Sequence, residues 1–151
     1  MLAKTHVAFG ILAGLITLKY TSVQNELLFI ALVILGVFLP DIDHPESKVN
    51  NSLKITKVIP IIFGHRGFFH SIFAVILVFA GLWWWQGFIY GFGVSIGYLS
   101  HLVSDALTLS GVGFLNPIAH YKVRGPVQTG TLMETLLFFV VIALDVLLLV
   151  H

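Results

Sequence analysis

The chain has 151 residues, of which 58% are hydrophobic and 10% are charged, and its mean hydropathy is +0.99. Soluble domains carry about 25% charged residues, so this composition excludes an ordinary soluble domain and predicts one membrane-embedded domain over residues 1–151. The net charge of +1 says little about partners, and the lack of cysteine excludes disulfides, thiolate metal sites and cysteine nucleophiles.

Apolar segments along the chain predict five helices. Their approximate ranges are 2–20, 26–39, 70–85, 88–109 and 132–150. A membrane span needs about 20 residues, so the first segment is expected to use almost its whole apolar length. Small residues four apart, such as Gly10 and Gly14, form faces suited to close helix packing. The predicted fold class is therefore an all-α, integral membrane bundle of about five transmembrane helices.

Residues 46–67, between the second and third helices, form the most polar part of the chain. Within them, four apolar residues follow helical spacing opposite Lys54 and Lys57, and Pro60 limits the regularity: Ile55, Val58, Ile59 and Ile62. This pattern predicts an amphipathic segment that lies in the membrane interface.

The basic residues are unevenly distributed. Seven of the eight lie in the N-terminal segment or in the loops 40–69 and 110–131, which five spans would place on one side of the membrane. The positive-inside rule makes that side cytoplasmic. We therefore expect the N-terminus in the cytoplasm and the C-terminus outside.

Ionisable residues accumulate on the same side. The second helix ends in Leu-Pro-Asp-Ile-Asp-His-Pro at 39–45. A carboxylate beside hydrocarbon is costly unless it is paired, protonated or bound to a cation, and Asp-x-Asp-His offers ligands for a divalent metal. The alternative is a helix end whose acids are solvated by water and headgroups. His101 and Asp105 are four residues apart, so they share a helix face and can hold one metal.

Each predicted helix contributes to a single polar layer at its cytoplasmic end. The candidate metal ligands are His6, Asp41, Asp43, His44, His70, His101 and Asp105, with His65 and Glu134 as outlying candidates. This concentration favours a metal site over a structural hydrogen-bond network or a proton relay. Neutral imidazoles and carboxylates suit one to three Zn²⁺ ions, and Mn²⁺ or Fe²⁺ are alternatives. Asp145, His120 and His151 lie apart, and Asp145 is expected to reach the outer interface.

Three motifs carry a family resemblance. They are Leu-Pro-Asp-Ile-Asp-His-Pro-Glu-Ser at 39–47, Gly-His-Arg-Gly-Phe-Phe-His-Ser at 64–71 and Gly-Tyr-Leu-Ser-His-Leu-Val-Ser-Asp at 97–105. In this order they resemble the YdjM-type family of bacterial and archaeal inner-membrane proteins, which are described as predicted membrane-bound metal-dependent hydrolases. Phe69 departs from the family's usual threonine before the histidine, which implies altered hydrogen bonding around the ligand.

The His-x-x-x-Asp spacing is more distantly similar to that of the zinc-dependent phospholipases C and related nucleases, which are all-helical. That similarity implies a central site of Asp41 or Asp43, His70, His101 and Asp105. Fold-level likeness says nothing about the substrate.

The resemblance implies a metal-dependent hydrolase in the cytoplasmic membrane, with its site at headgroup depth and a phosphoester of a membrane lipid as substrate. The candidate catalytic residues are Asp41, Asp43 and Arg66. The guanidinium of Arg66 could bind a phosphate oxygen. Its alternative role is a cytoplasmic charge that sets topology. A proton- or ion-coupled transporter using the same cluster and a non-catalytic metal-binding membrane protein are the alternative functions. No nucleic-acid partner is indicated, and the small-residue faces permit a homo-oligomer.

Overall fold

The computed structural model describes residues 1–43, 68–119 and 121–150. Within these ranges the fold is all-helical, with five α-helices and no β-strand. The helices are α1 (Ala3–Tyr20), α2 (Glu26–Phe38), α3 (Ile72–Gln86), α4 (Phe88–Ala106) and α5 (Leu132–Val150). Two short 3₁₀ turns, Leu39–Asp43 and Phe68–His70, follow α2 and precede α3.

Local signals explain where the helices begin. The side chain of Asn25 accepts a hydrogen bond from the amide of Leu28 and caps α2. Ser71 caps α3 in the same way, so α3 begins after His70 rather than at it. Gly87 lies between α3 and α4 with a φ of 107°, a conformation that favours glycine. The five predicted helices are confirmed, with small shifts at their ends.

Helix α4 is the centre of the bundle, because it packs against α1, α2 and α3, while α5 packs against α1. Glycines bring α2 and α4 into backbone contact. A Cβ atom at Gly97 would overlap the carbonyl oxygen of Val33, and one at Gly36 would overlap that of Val94. Close packing through small residues, expected from the sequence, therefore sets the α2–α4 distance.

The segment between α4 and α5 folds back over one end of the bundle. Val112 and Val123 exchange backbone hydrogen bonds of 2.9 Å, and the carbonyl of Phe114 accepts one from the amide of Ile72. Val112 is buried in a core cluster with side chains of α3 and α4. The segment thus fixes the start of α3 against the end of α4.

Among the described residues, only α5 is both long enough and apolar enough to cross a membrane by itself. Helix α3 is apolar but has 15 residues. The prediction of five helices is confirmed, whereas five membrane spans are not. The amphipathic segment predicted within residues 46–67 lies outside the described part of the chain.

Candidate metal centre

Five His and Asp side chains meet at the end of the bundle that the α4–α5 segment covers. They come from α1, the turn after α2, the turn before α3, and α4: His6, Asp41, His70, His101 and Asp105. Their ligand atoms form two groups, each within 4.8 Å, namely His6 with Asp41 and His101, and His70 with His101 and Asp105. The described residues therefore contain a cluster that could hold a metal ion.

The local fold explains this convergence. His101 and Asp105 lie one helical turn apart on the buried face of α4. Pro40 lies in the 3₁₀ turn after α2, which carries Asp41 towards α4. On the other side, Tyr98 of α4 donates its hydroxyl to the carbonyl of Phe69 at 2.6 Å. This bond anchors the turn that presents His70.

Hydrogen bonds at Nδ1 define the tautomers of two histidines. Nδ1 of His101 lies 2.8 Å from the carbonyl oxygen of Val37, which can only accept, so this nitrogen carries the proton. The hydroxyl of Ser104 donates to the carbonyl of His101, and its oxygen therefore accepts from Nδ1 of His6 at 2.7 Å. In the neutral form of both rings the lone pair is on Nε2, the atom available to a metal.

These Nε2 atoms face carboxylate oxygens rather than donors. Nε2 of His101 is 3.7 Å from Oδ1 of Asp41 and from Oδ2 of Asp105, and Nε2 of His70 is 3.9 Å from the same two atoms. Nε2 of His6 is 3.4 Å from Oδ1 of Asp105. Good hydrogen bonds are shorter, whereas ligands about 2.1 Å from a tetrahedral zinc lie about 3.4 Å apart. The spacing therefore fits donors that surround one cation.

The imidazole rings are packed against each other. His6 and His101 stack with centroids 3.8 Å apart, and His70 meets His101 edge-on at 5.6 Å. All three are at most 3% exposed. Within the described residues, Nε2 of His101 is buried without a hydrogen-bond partner. Buried, neutral imidazoles with an open nitrogen are the form that binds a metal.

Asp105 belongs to the second group of donors and also contacts His6 of the first. Its Oδ1 accepts a hydrogen bond from the amino group of Met1 at 2.8 Å and faces His6, while its Oδ2 faces His70 and His101. Met1 and Ser104 were not predicted from the sequence. Ser104 had a signal, since it lies three residues after His101 on the same helix. A backbone amino group carries none.

The two acids of α5 lie outside this cluster. Glu134 accepts hydrogen bonds from the amides of Leu2 and Gly130, both at 2.6 Å, and from the hydroxyl of Thr5 at 3.0 Å. It joins α1 to α5 and belongs to neither group of donors. Asp145 is 5% exposed, so the expectation that it reaches the outer interface is wrong. It lies on the helix face that packs against α1.

The remaining predicted site residues are beyond what the structure describes. Asp43 ends the 3₁₀ turn after α2, and only its backbone is described. His44, His65, Arg66, His120 and His151 fall outside the described residues. Their roles stay predictions.

The described residues define a class, an apolar helical protein with a buried His/Asp cluster able to hold a metal ion. The chain belongs to the YdjM inner membrane protein family, which it matches over residues 1–150. This membership confirms the resemblance drawn from the three motifs. It also supports the predicted membrane location.

Individual relatives agree with the family assignment. The chain is 40% identical over 111 residues to "Inner membrane protein YdjM" of Escherichia coli (strain K12) and to the protein of that name in Shigella flexneri, matching 67% of this chain and 56% of each relative. The match thus spans just over half the length of these relatives. "Uncharacterized protein YvsG" of Bacillus subtilis (strain 168) is 35% identical over 140 residues, which are 90% of this chain and 86% of the relative. No solved structure matches the chain.

Proposed function

We propose that the chain is a metal-dependent hydrolase that cleaves a phosphoester of a membrane lipid. The observation that carries the proposal is the set of imidazole nitrogens that face carboxylate oxygens at 3.4–3.9 Å in a buried cluster. A divalent metal in such a site supplies a hydroxide near neutral pH and polarises the bond to be cleaved. Zinc suits these ligands best, and manganese or iron are alternatives.

The residues divide into holding and substrate-facing groups. His6, His70, His101 and Asp105 are at most 3% exposed and would hold the metal. The side chain of Asp41 is 44% exposed, so it is the donor positioned to meet a substrate. His101 belongs to both groups of donors, and its Nδ1 is bonded to the carbonyl of Val37. Its Nε2 is therefore the one nitrogen that both groups share. The described donors therefore favour a single ion.

We place this centre at headgroup depth on the cytoplasmic side. Lys4 lies two residues before His6, and Lys122 and Arg124 are exposed in the segment that covers the centre. The positive-inside rule supports a cytoplasmic N-terminus and site, five spans and an external C-terminus. A membrane lipid is then the phosphoester nearest to the site, and Asp43 and Arg66 stay candidates for substrate contact.

Metal content tests the proposal first. We expect at least one equivalent of zinc or manganese in detergent-purified protein prepared without chelators, measured by mass spectrometry. A His101→Ala/Asp105→Ala double variant should lose it. Ser100→Ala is a matched control, because Ser100 is buried on α4 and, among the described residues, its hydroxyl bonds to the carbonyl of Gly97 rather than to the cluster. Wild-type protein without metal, even after addition of zinc or manganese, contradicts the proposal.

Turnover separates an enzyme from a metal-binding protein. The metal-loaded protein is incubated with phospholipid and polyprenyl-phosphate vesicles, and released phosphate or headgroup is measured. Hydrolysis that disappears in the double variant supports the hydrolase. Bound metal without turnover of any of these substrates would instead indicate a non-catalytic metal-binding membrane protein.

A proton- or ion-coupled transporter is the second candidate, and Asp145 is the observation that favours it. Glu134 and Asp145 are both buried on one face of α5, eleven residues and thus about 16 Å apart. Buried acids within a membrane helix often mark ion pathways. A transporter predicts pH-dependent flux in liposomes that Asp145→Asn abolishes. Turnover without flux would exclude it.

A further inference from the structure

An apolar groove runs between α2 and α3 and has a volume of about 350 Å³. Leu35 and Leu39 form one wall, and Leu77, Gly81 and Trp85 form the other. The described side chains that line it are all apolar, so it offers nothing to bind a polar ligand. We propose that this groove holds one hydrocarbon chain of a membrane lipid whose headgroup lies at the His/Asp cluster. This inference rests on the proposed lipid hydrolysis and deepens it.

The walls of the groove continue into the cluster. Leu39 opens the 3₁₀ turn that carries Asp41, and α3 follows directly on the turn that carries His70. Nε2 of His70 and Oδ1 of Asp41 lie 3.9 Å apart, so the two walls come together at the cluster. A chain lying in the groove therefore points one end at these two residues.

The cluster also opens on this side. Four of its five donors are at most 3% exposed, whereas the side chain of Asp41 is 44% exposed. Asp41 lies two residues beyond Leu39, at the end of the groove. A lipid that enters sideways from the bilayer would thus place its headgroup at the exposed donor and its chain between α2 and α3.

The length of the groove suits a hydrocarbon chain. Leu77 and Trp85 are eight residues apart on α3, which makes the groove about 12 Å long. A single acyl or prenyl chain lying along α3 can fill it.

The rims of the groove face an apolar surrounding. Leu35, Leu77 and Trp85 are 57%, 60% and 75% exposed. In an inner membrane protein such side chains face hydrocarbon, which is the source of the proposed occupant. The bilayer therefore delivers the chain to the groove without passage through water.

Gly81 gives a clean way to fill the groove. A Cβ atom built at Gly81 meets nothing within 4 Å, so Gly81→Phe enters the groove without a backbone clash. Ala80→Phe is the matched control, because Ala80 is exposed on the same helix and does not line the groove. Both variants place the same side chain in the same helix, one residue apart.

The kinetic test compares two substrates of the metal-loaded full chain. Gly81→Phe should lower kcat/KM for a long-chain phospholipid in vesicles by about tenfold or more, the effect of losing the burial of roughly two methylene groups. The value for water-soluble bis(p-nitrophenyl) phosphate should stay unchanged, and Ala80→Phe should change neither. An equal fall for both substrates, or no fall for the lipid, overturns the inference.

A second measurement does not depend on turnover. Phospholipid with a diazirine in its acyl chain is photolysed in vesicles with the protein, and the labelled residues are mapped by mass spectrometry. Label should concentrate at Leu35 and Leu77 rather than at the similarly exposed Leu144 and Leu147 of α5, and Gly81→Phe should suppress it. Uniform labelling overturns the groove even if lipid is hydrolysed. Concentrated labelling without hydrolysis keeps the groove and refutes the hydrolase.

Discussion

Helices α4 and α5 have the same length of 19 residues but opposite surroundings. More than half of the residues of α4 are buried, including His101 and Asp105, whereas α5 buries only Glu134, Val141 and Asp145. Yet α5 is the helix that hydropathy identifies as a membrane span, and α4 is not. High mean hydropathy here identifies α5, whose apolar side chains are largely exposed. It does not identify α4, which carries the cluster.

The physical cause lies in what each helix must contact. Helix α4 packs against three others, and its glycines allow their backbones to approach. Its polar side chains Ser100, His101, Ser104 and Asp105 form hydrogen bonds inside the bundle. Such residues lower mean hydropathy. Helix α5 packs mainly on α1 among the described helices, so most of its leucines and phenylalanines stay exposed.

Gly97→Ala should be the most damaging single change. The added Cβ would meet the backbone of Val33, and a backbone cannot move aside as a side chain can, so α2 and α4 must separate. We expect a loss of about 3 kcal/mol or more of unfolding free energy, measured by denaturation in detergent. Gly81→Ala is the control, because its Cβ meets open space and should stabilise α3 by about 0.5–1 kcal/mol. Equal effects of the two variants would refute the backbone contact.

Glu134→Ala should come next. It leaves the amides of Leu2 and Gly130 and the hydroxyl of Thr5 without their acceptor, at a cost of about 2–3 kcal/mol of unfolding free energy. Glu134→Gln keeps one carbonyl acceptor and should recover part of the loss. The folded Glu134→Gln protein should still bind metal, since Glu134 lies outside both groups of donors. Complete loss of metal in a folded Glu134→Gln protein would show that it is a ligand.

The sequence predicted the helices well because apolar runs and their breaks are local signals. The turn at Gly87 marks a helix end that can be read directly, whereas the capping role of Ser71 was missed. The i, i+4 spacing of His101 and Asp105 predicted their common face, and the structure brings His6, Asp41 and His70 to them. The placement of these residues at similar depths on the predicted helices was sufficient to predict this part of the site.

Other features depend on packing that no local pattern encodes. The burial of Asp145 follows from which face of α5 meets α1, and an acid near a helix end resembles an interfacial residue in sequence. Likewise, Glu134 offers a carboxylate at the depth of the cluster, but its partners are amides 132 and 4 residues away. The position of each acid along α5 predicted its depth in the membrane, but its contacts depend on how α5 packs.

Ser104→Ala tests a residue that supports the cluster without belonging to it. Its hydroxyl accepts from Nδ1 of His6 and so directs Nε2 of that ring towards Asp105. Loss of such a partner of a ligating histidine commonly weakens metal affinity by about 10–100-fold. Zinc titration should show a loss at the lower end of that range with the fold unchanged. Ser100→Ala, one turn away, should bind zinc as the wild type does.

Asp145→Leu should have the smallest effect on stability. Within the described residues neither carboxylate oxygen of Asp145 has a hydrogen-bond partner, although the side chain is 5% exposed. Replacing an unpaired buried carboxylate by an apolar side chain removes a desolvation penalty. The free energy of unfolding, measured by thermal denaturation in detergent, should therefore fall by less than about 1 kcal/mol or rise. Val141→Ala, four residues before Asp145 on the same buried face, should be more costly because it leaves a cavity. If Asp145→Leu destabilises more than Val141→Ala, the carboxylate has a partner and α5 contributes more than an apolar face.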